Sequence, residues 1–209
     1  MTMPPLDTPQ LLAIAAALGW ASGLRLYAVL FLTGLAGRLG WVDLPSGLAL
    51  LQHPLMLSAS GFMLLMEFFA DKIPGIDSLW DLIHTLVRIP AGAALAAAVF
   101  DADPEAWTMA AALMGGTLAA TSHIAKATTR AAVNTSPEPF SNVGMSLLGD
   151  AVVPVALWLS WTHPLWFAAL LTLALIVMIG VIWWLGRFLR QLATRVTNWR
   201  RPTLQRTGP

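Results

Sequence analysis

Cysteine is absent from the 209 residues, which excludes disulfides, thiolate metal sites and cysteine nucleophiles. Charge is scarce as well. Only 11% of the residues are Asp, Glu, Lys or Arg, against roughly 25% in a soluble domain. Apolar residues make up 57%, against about 45–50%. These departures exclude an ordinary soluble enzyme, a nucleic-acid binder and a disordered scaffold. Familiar catalytic signatures are also missing. There is no HExxH, no GxSxG, no P-loop and no GxGxxG in a strand–helix setting. The four histidines are scattered without metal-ligand spacing, and nothing calls for a cofactor. The opening MTMPPLDTPQ holds no Lys or Arg. It lacks the basic region of a signal peptide and is expected to be retained.

What is present is long apolar sequence, with a mean hydropathy of +0.69. Six candidate spans can be drawn: Leu11 to about Ala36, Pro54 to Ala70, Leu82 to Phe100, Ala106 to Ala125, Phe140 to Trp161, and Pro164 to Leu189. Six spans of roughly 20 residues use about 120 positions, leaving loops and tails but no separate soluble domain. The expected fold is therefore all-α: one polytopic membrane domain over 1–209, with about six transmembrane helices and kinked or re-entrant elements. Only the fourth and sixth spans are expected to pass a strict hydropathy window. Six of the twelve cations lie in the basic tail 187–209. The loop Asp101 to Glu105 has none. The positive-inside rule then places both termini in the cytoplasm, with Arg38 as the one exception. Trp183 and Trp184 near one end of the last span, and Trp158, Trp161 and Trp166 near the other, suit aromatic belts.

MEFFADKIP (Met66 to Pro74) is similar to MSLLGDAVVP (Met145 to Pro154), aligning Asp71 with Asp150. At the same offset His84 falls on His163. If the match is a true repeat, 10–100 and 106–190 are halves. Each holds an odd number of spans, so they form a 3+3 inverted repeat, a common transporter plan.

Polar residues inside the apolar runs are the candidates for function, because a charge in the bilayer is costly. Arg25 interrupts the first span just after Gly23, as a broken helix presenting a cation or as a structural ion pair. Glu67 and Asp71 are four apart and share a helix face. They either bind a cation or proton, or cap the second span and pair with Arg25, Lys72 or Arg88. Asp77, Asp81, His84 and Arg88 form a single polar stripe opposite Leu79, Leu82, Ile83 and Leu86, an amphipathic pattern. Lying at the headgroup surface is the plainer reading, and lining an aqueous cavity the other. AGAALAAA, next in the chain, suits close helix packing. His123, Lys126, Arg130 and Asn134 share one face of the fourth span. The positive-inside rule by itself accounts for Lys126 and Arg130. NTSPEPFSN is broken by Pro137 and Pro139 around Glu138, and a helix is expected to start near Ser141 or Asn142. Along it Asn142, Ser146 and Asp150 fall on one face. Asp150 comes near the midplane, the most membrane-embedded carboxylate of the chain.

The strings GLRLYAVLFLTGLAGRLG, EFFADKIPGIDSLWDLIHTLVRIPAGA and HIAKATTRAAVNTSPEPFSN resemble a bacterial membrane family labelled only as domain of unknown function 4126. The resemblance runs from about Gly19 to Pro154, and ADKIP and NTSPEPFSN are its most specific parts. It implies a multi-span protein of the bacterial inner membrane and carries no settled activity or catalytic residues. It also leads one to expect an acidic residue beside Asp150, where this chain has Gly149, which counts against a two-carboxylate model there.

The leading expectation is a small transporter or channel for an ion or small polar solute, set in the lipid bilayer between the two halves. The expected site residues are Arg25, Glu67, Asp71, His84, Lys126, Arg130, Asn134 and Asp150. One alternative is a membrane enzyme or carrier acting on a lipid headgroup, its cations gripping phosphate and a carboxylate or His84 acting as base. The other is a structural subunit whose charges only hold helices together. A homo-oligomer is compatible with all three, and no nucleic-acid partner is expected.

Overall fold

The computed structural model describes residues 6–73, 75–102, 104–135 and 140–199, apart from the side chains at 142, 192, 193 and 195–199. Among these residues the chain is all helical, with six α-helices and one short 3-10 helix and no strand. The helices are α1 (Thr8–Arg38), α2 (Pro54–Ala70), α3 (Ile76–Ala98), α4 (Glu105–Val133), α5 (Phe140–Thr162) and α6 (Pro164–Trp199). The 3-10 helix, Ser46–Gln52, precedes α2.

Their starts follow local chemistry. Asp7 caps α1, accepting from the Gln10 amide at 2.8 Å while the Gln10 side chain accepts from the Asp7 amide. Proline opens α2 and α6, where its missing N–H costs nothing. Three helices are long and apolar enough to cross a membrane: α1, α5 from Val143 and α6 to Gln191. A fourth candidate is the 3-10 helix taken with α2, two pieces bent by 70° about His53. This is the kinked or re-entrant element expected from the sequence. The fourth sequence span does not pass, contrary to expectation, because α4 is built from Ala, Gly and Thr rather than Leu, Ile and Val.

Burial decides the arrangement. The most apolar stretch of α1 is 78% buried inside the protein, that of α5 28%, and that of α6 only 6%. Accordingly α1 is the central helix and packs on every other one. The outer faces of α2, α3, α5 and α6 expose Phe62, Leu86, Val155 and Ile176, a surface that suits lipid and not water. Trp158, Trp166, Trp183 and Trp184 are exposed as well.

The centre of the bundle is held by close backbone approach. A Cβ on Gly19 of α1 would lie 2.5 Å from the Gly115 Cα of α4. One on Gly115 would lie 2.6 Å from the Gly92 carbonyl oxygen of α3. With no hydrophobic effect between helices in lipid, such small-residue contacts supply association through dispersion. They also draw α1, α3 and α4 together, and these three helices carry most of the site.

The amphipathic face of α3 is oriented opposite to the surface reading. Asp77, Asp81, His84 and Arg88 are buried, while Leu79, Leu82, Ile83 and Leu86 are exposed. A helix in lipid turns its apolar face outward, so the same period takes the reverse orientation from a helix in water.

Candidate functional site: a buried ion-pair network

Within α1 the helix breaks at Arg25, whose backbone is extended (φ −149°, ψ 81°). Gly23 contributes differently from expected. It lets α1 press against α4, since a Cβ there would collide with the Ser122 hydroxyl and the Ala119 carbonyl. The Ser122 hydroxyl donates to the Trp20 carbonyl at 2.7 Å.

From this break Arg25 reaches two carboxylates. Its Nη1 lies 2.7 Å from Asp71 Oδ2 and its Nε 2.9 Å from Asp150 Oδ1. Nη2 donates to the Ser146 carbonyl at 3.0 Å and to its hydroxyl at 2.8 Å. Asp71, just past the end of α2, is the hub. Its Oδ2 also takes Arg130 Nη2 at 3.0 Å and Lys126 Nζ at 3.2 Å, both from α4.

A second centre forms on α3. Arg88 joins Glu67 at 2.5 Å and Asp81 at 2.6 Å. Asp81 in turn holds Lys126 at 3.0 Å and Arg130 at 3.5 Å. Arg130 extends to Asp77 at 3.4 Å, and the Asn134 amide donates to both oxygens of Asp77 at 3.3 Å. At the other end Lys72 pairs with Asp150 at 3.2 Å and sits 3.1 Å from the centroid of the Phe68 ring.

All ten charges are thus connected, from Glu67 at one end to Lys72 at the other. There are five cations (Arg25, Lys72, Arg88, Lys126, Arg130) and five carboxylates (Glu67, Asp71, Asp77, Asp81, Asp150). The network is neutral, as a low-dielectric interior requires: an uncompensated buried ion costs several kcal/mol. Among the described residues three carboxylate oxygens, Glu67 Oε2, Asp71 Oδ1 and Asp81 Oδ2, are nevertheless buried without a hydrogen-bond partner, the last facing Arg130 Nε at 3.5 Å.

Histidines flank the network. His123 faces Arg88 Nη1 through Nδ1 at 3.4 Å and the Thr85 hydroxyl through Nε2 at 2.7 Å. His84 stands apart from the ion pairs. It bonds the Trp80 carbonyl at 2.8 Å and the Tyr27 hydroxyl at 3.2 Å, and it stacks on Trp80.

Of the expected site residues, Arg25, Asp71, Lys126, Arg130 and Asp150 are brought into direct contact. Glu67 joins through Arg88 and Asn134 through Asp77. Two expectations change. Lys126 and Arg130 are buried ion-pair partners, so the positive-inside rule alone does not explain them. Asp150 is the least buried of the five carboxylates, with a side chain 23% exposed, because α5 lies at the rim of the bundle. Pro137, Glu138, Pro139 and the Asn142 side chain, on which further expectations rested, lie outside the described residues.

Sequence reasoning left Lys72, Asp77, Asp81, Arg88, His123 and Ser146 out of the site. The signal was present for three of them. A stripe carrying both acids and bases reads as a self-pairing interior face once the helix is placed in lipid.

A family model described as "Domain of unknown function (DUF4126)" matches residues 12–184, and the chain belongs to that family. No curated protein and no solved structure matches.

Proposed function

We propose that this member of the family is a small membrane transporter or channel that moves an ion or small polar solute past the buried network. The observation carrying the proposal is the network itself. Helices α1 to α5, with the turn after α2, deliver ten charges to one cluster, at a depth where each is costly. Stability alone does not call for this, since well-packed apolar residues often serve as well as or better than buried ion pairs. Neutrality constrains the mechanism. A lone ion entering upsets the balance, so movement of one charge is coupled to a compensating one. Asp150 is the natural point of exchange, being the most accessible carboxylate and holding two cations that its protonation would release. Pro154 loosens the helix there, because it lacks the N–H that would bond the Asp150 carbonyl.

Asp150→Asn tests this. The substitution keeps the size and most hydrogen bonds of the side chain and removes its charge. In proteoliposomes loaded with a pH-sensitive dye, the native protein should dissipate an imposed pH gradient and Asp150→Asn should leave it near that of empty vesicles. Equal rates in two folded proteins would make Asp150 structural and remove transport through this site.

The same proposal includes six spans in the bacterial inner membrane, with both termini cytoplasmic. A cytoplasm-only reporter after Pro209 should be active, and a periplasm-only reporter within Asp101 to Glu105 likewise. Silence of either reporter refutes the topology. The 3+3 inverted repeat belongs here too. Its support is a crosswise exchange: Asp71 after α2 takes cations from α4, and Asp150 of α5 takes one from α1. Superposing α1–α3 on α4–α6 should require a two-fold rotation in the membrane plane and bring Asp71 onto Asp150. A parallel solution would refute it.

A further inference from the structure

Beside the network, α1, α4, α5 and α6 enclose a cleft of about 260 Å³. Its walls are apolar, with Leu148, Val152 and Val177 among them, and its charged lining is Arg25, Lys126 and Arg130. No carboxylate lines it among the described residues. Asp71, Asp77, Asp81 and Asp150, which neutralise these cations, are not part of this lining. The network is neutral as a whole, but the surface turned to the cleft is positive.

The cleft also faces lipid. Helices α4 and α5 scarcely touch, so the seam between them is unsealed, and α6 is the outermost helix of the bundle. A ligand arriving there comes sideways from the bilayer. The volume is below the roughly 300–1,000 Å³ of a drug-sized pocket, enough for the top of a lipid and not for all of it.

We propose that this cleft binds one anionic glycerophospholipid, its phosphate against Arg25, Lys126 and Arg130 and its acyl chains running out along Val152 and Val177. Donor capacity remains for the phosphate on Arg130, whereas Lys126 spends its three N–H groups on the Leu24 carbonyl, Asp71 and Asp81 and contributes charge alone. Arginine carries five N–H groups, and Arg130 uses one each from Nη2, Nη1 and Nε, the latter two at 3.4 and 3.5 Å. Arginine is also the side chain best matched to phosphate geometry. The proposal stands apart from the transport reading, since retention of a lipid is scored by mass and needs no flux.

The experiment is native mass spectrometry of protein reconstituted in vesicles of equimolar phosphatidylglycerol and phosphatidylethanolamine, then released in detergent. The native chain should retain one phosphatidylglycerol and little phosphatidylethanolamine. Two variants alter the cleft and leave every ion pair in place. Gly149→Leu sets a bulky uncharged side chain in the cleft, and a Cβ there meets only Arg25 Nε, at an ordinary 3.6 Å. Val181→Trp fills the cleft from peripheral α6. Each should weaken phosphatidylglycerol retention roughly tenfold, the equivalent of about 1.4 kcal/mol, with the thermal unfolding midpoint kept. Equal retention of both lipids, or undiminished retention in both variants, overturns the proposal. Loss of the lipid to excess inorganic phosphate overturns it too, because the ligand would then be the free anion.

Discussion

Asp71→Ala is expected to give little or no folded protein. One oxygen of this carboxylate receives Arg25, Arg130 and Lys126 at 2.7, 3.0 and 3.2 Å, and no part of the side chain is exposed. Removing it leaves five cations facing four carboxylates in a largely buried cluster. Breaking a buried pair from one side typically costs about 3–5 kcal/mol, because the partner is stranded. Here three cations lose a partner at once, although each keeps another: Asp150 for Arg25, and Asp81 for Lys126 and Arg130. The loss is set against a total stability of about 5–15 kcal/mol. Asp71→Asn should be milder, since an acceptor remains. Monodisperse yield in detergent and the thermal unfolding midpoint measure the effect. A native-like midpoint for Asp71→Ala would show that Asp71 is not the hub of the cluster.

How far the sequence revealed this cluster depends on what fixed each part of it. Helix boundaries were legible because punctuation sets them. Proline opens α2 and α6 at the expected residues, and the α2 limits agree with Pro54 and Ala70. Arg25 was legible as a break because a cation in an apolar run needs a reason. Asp71 was one of the carboxylates offered to it, but nothing in the spacing says that Asp71 and Asp150 would both reach. That choice depends on α1 being central, and the glycine contacts at Gly19, Gly92 and Gly115 that make it so join three separate segments.

For α3 two readings of the polar stripe were open, because hydrophobic period gives the faces of a helix but not what lies outside it. Burial decides for the inward one: Asp77, Asp81 and Arg88 point in and complete the network. The positive-inside rule by itself gave an account of Lys126 and Arg130, although both stood among the expected site residues. A rule about which side of the membrane holds cations is silent on whether they reach solvent. Both are buried against carboxylates of α3 and the turn after α2. Asp150 shows the converse. Counting residues along α5 gives its depth in the span but not its exposure, and a rim helix leaves it partly open.

The Glu67–Arg88 pair separates a structural from a functional role for the cluster. Among the described residues Glu67 has Arg88 as its only ion-pair partner, at 2.5 Å, and its second oxygen is buried without a partner. Arg88→Met alone strands Glu67 completely and takes one cation from Asp81, so a loss of about 3–5 kcal/mol is expected. Glu67→Gln alone should cost less, because Arg88 keeps Asp81. The double variant removes one charge of each sign. Four cations and four carboxylates remain, with Asp81 still held by Lys126 and Arg130. It leaves an uncharged amide where Glu67 stood, and a neutral polar group costs far less to bury than a stranded carboxylate. The double should therefore be clearly more stable than Arg88→Met, with a coupling toward the upper end of the 0.5–3 kcal/mol seen for interacting residues. A double-mutant cycle on thermal or denaturant unfolding in detergent measures this. Additive losses would show that the two side chains do not stabilise each other. A stable double variant can then be assayed for flux. Native flux would make this pair a clamp between α2 and α3, whereas lost flux in a well-folded double variant would place Glu67 and Arg88 on the path itself.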